Sequence, residues 1–241
     1  MTEKRPTAAV AIFAKTPGLT PAKTRLAAAV GPAIAEAFYL RALGIAEAVA
    51  GAAAAADPEL TPYWAVAERE AIGRECWSGL SQLWQGDGDL GTRLAHVYEC
   101  LRERHAAVLL IGADSPLLTA RHLLGAHAVL VEANRDFVLG RALDGGFYLF
   151  GGKVPMARTV WTGVSYSEAD TADQLLARLA TSGSVGHIAP LPDVDTLDDL
   201  LAVPAHAAGC RDLLPSQRAL VEWIGTLARR SPDDGVTAQT G

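Results

Sequence analysis

Three cations, Lys15, Lys23 and Arg25, stand in the stretch FAKTPGLTPAKTRLAAAVGP, directly after an apolar run. Cations spaced among Pro17, Gly18 and Pro21, between a strand-like segment and a helix-like one, can hold phosphates. Backbone N–H groups at such a junction add to the side-chain charge. The stretch is neither a GxxxxGK[ST] loop nor a GxGxxG fingerprint, and a surface loop with solvated cations fits the same residues.

Carboxylates supply the complementary chemistry. Asp114 ends the apolar run of LLIGADSPLL, where a lone carboxylate at a strand's carboxyl end can hold Mg²⁺ on a nucleotide's phosphates; an Asx-turn or helix cap is the alternative. In DVDTLDDLL, Asp193 and Asp195 precede a short helix with Asp198 and Asp199 in its first turn. Asp193 and Asp195 are expected to aim at opposite faces, leaving one of them for a shared metal. Helix capping and dipole placement account for some of this cluster. QGDGDLGTRL puts Gln85, Gly86 and Gly91 ahead of a helix carrying Arg93. Its sparse side chains would let the backbone approach a base and ribose, with Gln85 or Asp89 bonding the base; a plain strand-to-helix turn is the alternative. LDGGFYLFG contributes Asp144, Gly145 and Gly146, where backbone can pack against a sugar or an acceptor, or form a hairpin turn.

These residues need elements to bring them together. TAAVAIFA reads as a buried strand, and Pro32 to about Ala56 as an Ala-rich helix broken by DPELTP. YWAVA and SQLWQ follow, then a helix near Thr92 to Arg104, the strand AAVLLIGA, and a helix from Thr119 to about Glu132. DFVLGRA and GFYLFGG read as a strand pair. A helix from about Ser167 to Thr181, the strand VGHIAPL, a short helix after DVDT and a last helix from about Ser216 to Arg230 complete the order. Alternating strands and helices predict an α/β fold with a mainly parallel central sheet and helices on both faces. One domain over residues 1–230 is expected, with 231–241 a polar, disordered tail.

Composition excludes several classes. The net charge of −6 leaves no electrostatic footprint for nucleic acid. No apolar stretch is expected to reach the ~20 residues of a membrane span, and the amino terminus lacks a signal-peptide pattern, so a cytoplasmic protein is expected. Cys76, Cys100 and Cys210 have neither zinc spacing nor even number. GxSxG, CxxC and HExxH are absent, and the six histidines form no ligand-spaced cluster, which disfavours covalent or zinc catalysis.

In the order KTRL, QGDGDLG, GADSP, DGGFYL and DVDTLDDL, the sequence resembles the glycosyltransferase-A-like, nucleotide-diphospho-sugar-transferase superfamily from about Ala8 to Val203. More narrowly it is similar to a bacterial family of uncharacterised transferases related to 2-phospholactate guanylyltransferase and molybdenum-cofactor guanylyltransferase. The resemblance implies a Rossmann-like GT-A fold, Lys23 and Arg25 on nucleotide phosphates, Asp114 as principal Mg²⁺ ligand and Asp195 as the second. Two departures stand out. Thr20 and an added Pro21 occupy the place where the family's opening loop carries its Gly nearer to KTR than Gly18, and Tyr166 replaces a Trp usual in the segment expected to line the acceptor pocket.

The expected function is a Mg²⁺-dependent nucleotidyltransferase that joins a nucleoside triphosphate to a small phosphorylated acceptor and releases pyrophosphate. The acceptor phosphate would be the nucleophile, so alignment and charge neutralisation would carry catalysis. A glycosyltransferase using a nucleotide-sugar donor is the first alternative, and a non-catalytic nucleotide-binding regulator the second.

Overall fold

The computed structural model describes residues 7–229. The expected tail, 231–241, lies outside the described residues. Among the described residues, seven strands, β1 (Ala8–Ala14), β2 (Leu60–Val66), β3 (Ser81–Trp84), β4 (Ala107–Gly112), β5 (Phe137–Ala142), β6 (Phe147–Gly152) and β7 (Val185–Leu191), form one sheet in the order β3-β2-β1-β4-β6-β5-β7. β1, β2, β3 and β4 pair in parallel, as do β5 and β7. β6 runs antiparallel between β4 and β5. The α/β, mainly parallel architecture is therefore the one the element pattern predicts.

Among the described residues, eight α-helices, α1 (Thr24–Val30), α2 (Pro32–Ala56), α3 (Leu90–Arg102), α4 (Ala120–Val131), α5 (Arg158–Thr162), α6 (Thr171–Leu179), α7 (Leu197–Ala207) and α8 (Pro215–Ala228), cover the sheet. Alternation along β1 shows how both faces are filled. Ala8, Val10 and Ile12 join a core with Phe38 of α2, Leu123 of α4 and Leu220 of α8. Ala9 and Ala11 join a second core with Leu94 of α3, Trp161 of α5 and Leu175 of α6. Strands buried on both sides read as continuous apolar runs, as β1 and β4 do.

Two expectations need correction. α2 is long and apolar enough, by length and composition alone, to cross a bilayer, contrary to the expectation that no stretch would be. Here it packs against the sheet, and Phe38, Leu43, Ile45 and Val49 are among its buried residues. The helix expected from Ser167 begins instead at Thr171, because Thr171 Oγ1 bonds Ser165 O and Glu168 O and holds 165–170 as a loop. α5 was not anticipated; it is a single short turn around buried Trp161.

The order of strands decides where a ligand can lie. From β1 the chain moves outward through β2 to β3, then returns to place β4 on β1's other side. Such a reversal opens a crevice beyond the carboxyl ends of β1 and β4, the usual ligand position in open α/β sheets.

Candidate active site

A cleft of about 530 Å³ occupies that position. β1 delivers Lys15 and the loop to Lys23 and Arg25, β4 delivers Asp114, β5 delivers Asp144, and the segment after β7 delivers Asp193 and Asp195; all line the cleft.

The opening loop is anchored at its base. Tyr39 of α2 brackets Lys15, its hydroxyl accepting from Lys15 N at 2.8 Å and donating to Lys15 O at 2.9 Å. Glu68 accepts from Thr16 N at 2.8 Å, and Lys15 Nζ donates to Pro21 O at 3.3 Å. α1, into which the loop runs, is only seven residues long, so side chains rather than a helix amino terminus dominate this end of the cleft.

Lys23 lies at the centre of the charge pattern. Its Nζ donates to Asp195 Oδ1 at 2.6 Å and to Asp114 Oδ2 at 3.3 Å. Burial alone would lower the Lys23 pKa, but the two carboxylates outweigh it and raise it. The Lys23 charge in turn holds Asp114 below its ordinary value. Asp193 is pushed the other way, up to about 7, by burial and by the charges of Asp144, Asp114 and Asp195.

Asp193 and Asp195 both line the cleft, which corrects the expectation that they diverge. Residues two apart on extended chain share a side, and fully buried Val194 between them faces inward. Val194 N donates to Asp114 O at 3.0 Å, fastening this segment to the end of β4. Asp199 caps α7 by accepting from the backbone N–H groups of Asp195 and Thr196, the structural role foreseen for part of the cluster.

Other expected residues separate into two groups. Lys15, Lys23, Arg25, Gln85, Asp114, Asp144, Gly146, Tyr166 and Asp195 line the cleft; Gly18, Gly86, Gly91, Arg93 and Gly145 do not. Arg93 Nε donates to Gly88 O at 2.9 Å and closes its own loop. A Cβ on Gly91 would meet Trp161 O and the Tyr166 ring, and one on Gly145 would meet Ala169 O, so both glycines serve packing. Gly86 has a positive φ, which answers to turn geometry, and lies against His96. Gly18, also at positive φ, turns within the opening loop. Gln85 donates its amide to Ala14 O and Ala65 O, and Asp89 caps α3 through Thr92 N.

Sequence reading missed Tyr39, Ser115, Tyr148 and Glu168, which also line the cleft. No motif marks Tyr39 or Tyr148. The Asp-Ser-Pro turn was the available signal for Ser115, whose Oγ is buried and has no hydrogen-bond partner.

Asp114 and Asp195 converge on one ammonium and remain partly open to the cleft, with side chains 43% and 41% exposed. Hard oxygen donors in this number suit Mg²⁺, which needs one or two carboxylates beside substrate phosphates. Among the described residues, no three His, Cys, Asp or Glu side chains form a ready-made metal cage.

Residues 42–168 match the family described as uncharacterized protein conserved in bacteria (DUF2064). No curated protein matches the chain. Among solved structures, a candidate nucleotide-diphospho-sugar transferase from Desulfovibrio desulfuricans G20 superposes with a TM-score of 0.79 at 24% identity, covering 92% of this chain and 96% of that one. A cytidylyltransferase from Leptospira borgpetersenii serovar Hardjo-bovis (strain JB197) gives 0.54 at 12% identity, covering 93% and 96%. The 4-diphosphocytidyl-2C-methyl-D-erythritol synthase from Anaerococcus prevotii DSM 20548 gives 0.53 at 11%, covering 84% and 99%. At such identities the likeness is one of fold.

Proposed function

The chain belongs to this bacterial family, DUF2064, and from that premise and the geometry of the cleft we propose that it is a nucleotide-dependent transferase. One observation carries the reading: a cationic loop meets two convergent carboxylates in the crevice at the strand reversal. Lys15, Lys23 and Arg25 bind the nucleotide's phosphates. Asp114 and Asp195 would hold Mg²⁺, and the ion would supply positive charge against the departing phosphates. The names of the similar structures, a nucleotide-diphospho-sugar transferase and cytidylyl-transferring enzymes, support the class.

Two transfers fit this frame. In nucleotidyl transfer, an acceptor oxygen bonds the α-phosphorus of a triphosphate and pyrophosphate leaves. In glycosyl transfer, an acceptor oxygen bonds the anomeric carbon of a nucleotide sugar. The bond from that carbon to the β-phosphate oxygen breaks, the diphosphate keeps its electron pair, and the acceptor's proton is released. Charge favours the second. Every cation lining the cleft comes from the opening loop, whereas Asp144, Glu168 and Asp193 line the remainder. A phosphorylated acceptor would meet those carboxylates without a countercharge, while sugar hydroxyls can donate to them.

A thermal-shift panel tests both readings, using nucleoside triphosphates, nucleotide sugars and the matching diphosphates with and without Mg²⁺. A Mg²⁺-dependent rise, largest with a nucleotide sugar, is expected. A rise largest with one triphosphate, together with pyrophosphate release, would favour nucleotidyl transfer, and no rise with any nucleotide would remove the class.

A further inference from the structure

We propose that Lys23 is a built-in counter-cation that keeps the Asp114–Asp195 pair closed to divalent metal until nucleotide phosphates draw its ammonium away. The inference rests on the reading of those carboxylates as the Mg²⁺ pair. Both hydrogen bonds of Lys23 Nζ go to them, at 2.6 and 3.3 Å, so the ammonium stands where a cation shared by the two would stand. Mg²⁺ takes its oxygen ligands at about 2.0–2.1 Å, and ion and ammonium cannot occupy that gap together.

Burial makes the lysine the inner member of the cluster. Its side chain is 6% exposed, against more than 40% for each carboxylate. Its backbone is unusual as well. Lys23 has φ 52° and ψ 43°, in the left-handed region that side chains other than glycine rarely occupy. Only two other non-glycine residues among those described share a positive φ, and one of them, Ser167, also lines the cleft. Unfavoured backbone at a ligand cleft marks positions whose conformation is held by their contacts. For the Lys23 side chain those contacts are the two ion pairs, and incoming phosphates offer it others at the same cleft. Divalent metal therefore binds with nucleotide or after it.

The test is Mn²⁺ binding to the full chain without nucleotide, followed by loss of the free-ion paramagnetic resonance signal. Lys23→Met is expected to bind Mn²⁺ about tenfold or more tightly than the unsubstituted protein, the scale of one close charge pair. Mn²⁺ should raise the melting temperature of this variant and leave that of the unsubstituted protein unchanged. Lys23→Arg, which keeps the charge, should behave as the unsubstituted protein does, and Asp114→Asn added to Lys23→Met should abolish the gain. Lys23→Gln takes the place of Lys23→Met if that variant fails to fold. Equal Mn²⁺ affinity with and without the Lys23 charge overturns the proposal. Failure to detect any group transfer would remove the transferase reading and leave this result standing; equal Mn²⁺ affinities with nucleotide binding intact would remove the counter-cation alone.

Discussion

The two halves of the cleft are held together by different means. At the end lined by the opening loop, the proposed phosphate end, the parts come from distant points of the chain: Lys23 reaches Asp114 and Asp195, Tyr39 brackets Lys15, and Glu68 holds Thr16. At the far end, the bonds are local. Asp144 Oδ1 accepts from Gly146 N within its own turn, and Thr171 bonds Ser165 O and Glu168 O a few residues back. The contrast separates what fold and charge each contribute. On the proposed reading, phosphate binding would depend on the sheet bringing three strand ends together, whereas the far end would offer preformed turns whose carboxylates select the partner group.

If the phosphate end works as a unit, removing its anchoring carboxylate should have the largest effect in the molecule. Asp114→Ala is expected to weaken Mg²⁺-dependent nucleotide binding by roughly a hundredfold or more, because it removes one of the two carboxylates proposed to hold the ion. The fold should persist, because Asp114 is partly exposed and its backbone oxygen still accepts from Val194 N. Calorimetric titration with Mg²⁺ present measures this, and an unchanged affinity would detach Asp114 from the site.

The same division explains what could be read from the residues alone. Elements were legible because their signals are local: α2 runs from Pro32 to Ala56 between a Gly and an Asp-Pro break, and β1 and β4 are continuous apolar runs. Lys15, Asp114 and Asp144 could be picked out because they stand just beyond strand ends, and Arg25 because it follows a loop rich in turn residues and cations. Tyr39 could not, since one aromatic in an Ala-rich helix reads as core and only the packing of α2 against β1 brings its hydroxyl to Lys15. Gly91 and Gly145 look like ligand contacts in sequence, yet answer to neighbours, Trp161 and Ala169, that no local pattern reveals. The left-handed backbone of Lys23 likewise carries no sequence signal.

The far end is tested by a change that keeps its turn and removes its charge. Asparagine at 144 can still accept from Gly146 N, so Asp144→Asn isolates the carboxylate's effect on a ligand. Affinity for the preferred nucleotide sugar should fall about tenfold, the value of one charge-assisted hydrogen bond, while affinity for the matching bare diphosphate stays within about twofold. Equal losses for both would place Asp144 on the phosphates and erase the distinction between the halves.

Crowding among the carboxylates predicts a smaller effect on stability. Asp193 titrates near 7 in the folded protein, pushed up by burial and by Asp144, Asp114 and Asp195, against an ordinary value of 3.8. Between those values the native state holds a proton that the unfolded chain has released. Stability should therefore decline as pH rises from about 4 to 7, and the cost is fully present above pH 7. Asp193→Asn removes the titrating group, so in chelator its melting temperature should exceed that of the unsubstituted protein by roughly 2–4 °C at pH 8. That is the shift about 1 kcal/mol gives a protein of this size, a fraction of the roughly 4 kcal/mol that full linkage would give, because solvent screens a carboxyl that is only partly buried. At pH 4, where Asp193 is protonated in the native state, the two should melt together. A constant difference at every pH would mean that the asparagine acts through packing, and that the far end is less crowded with negative charge than its carboxylates imply.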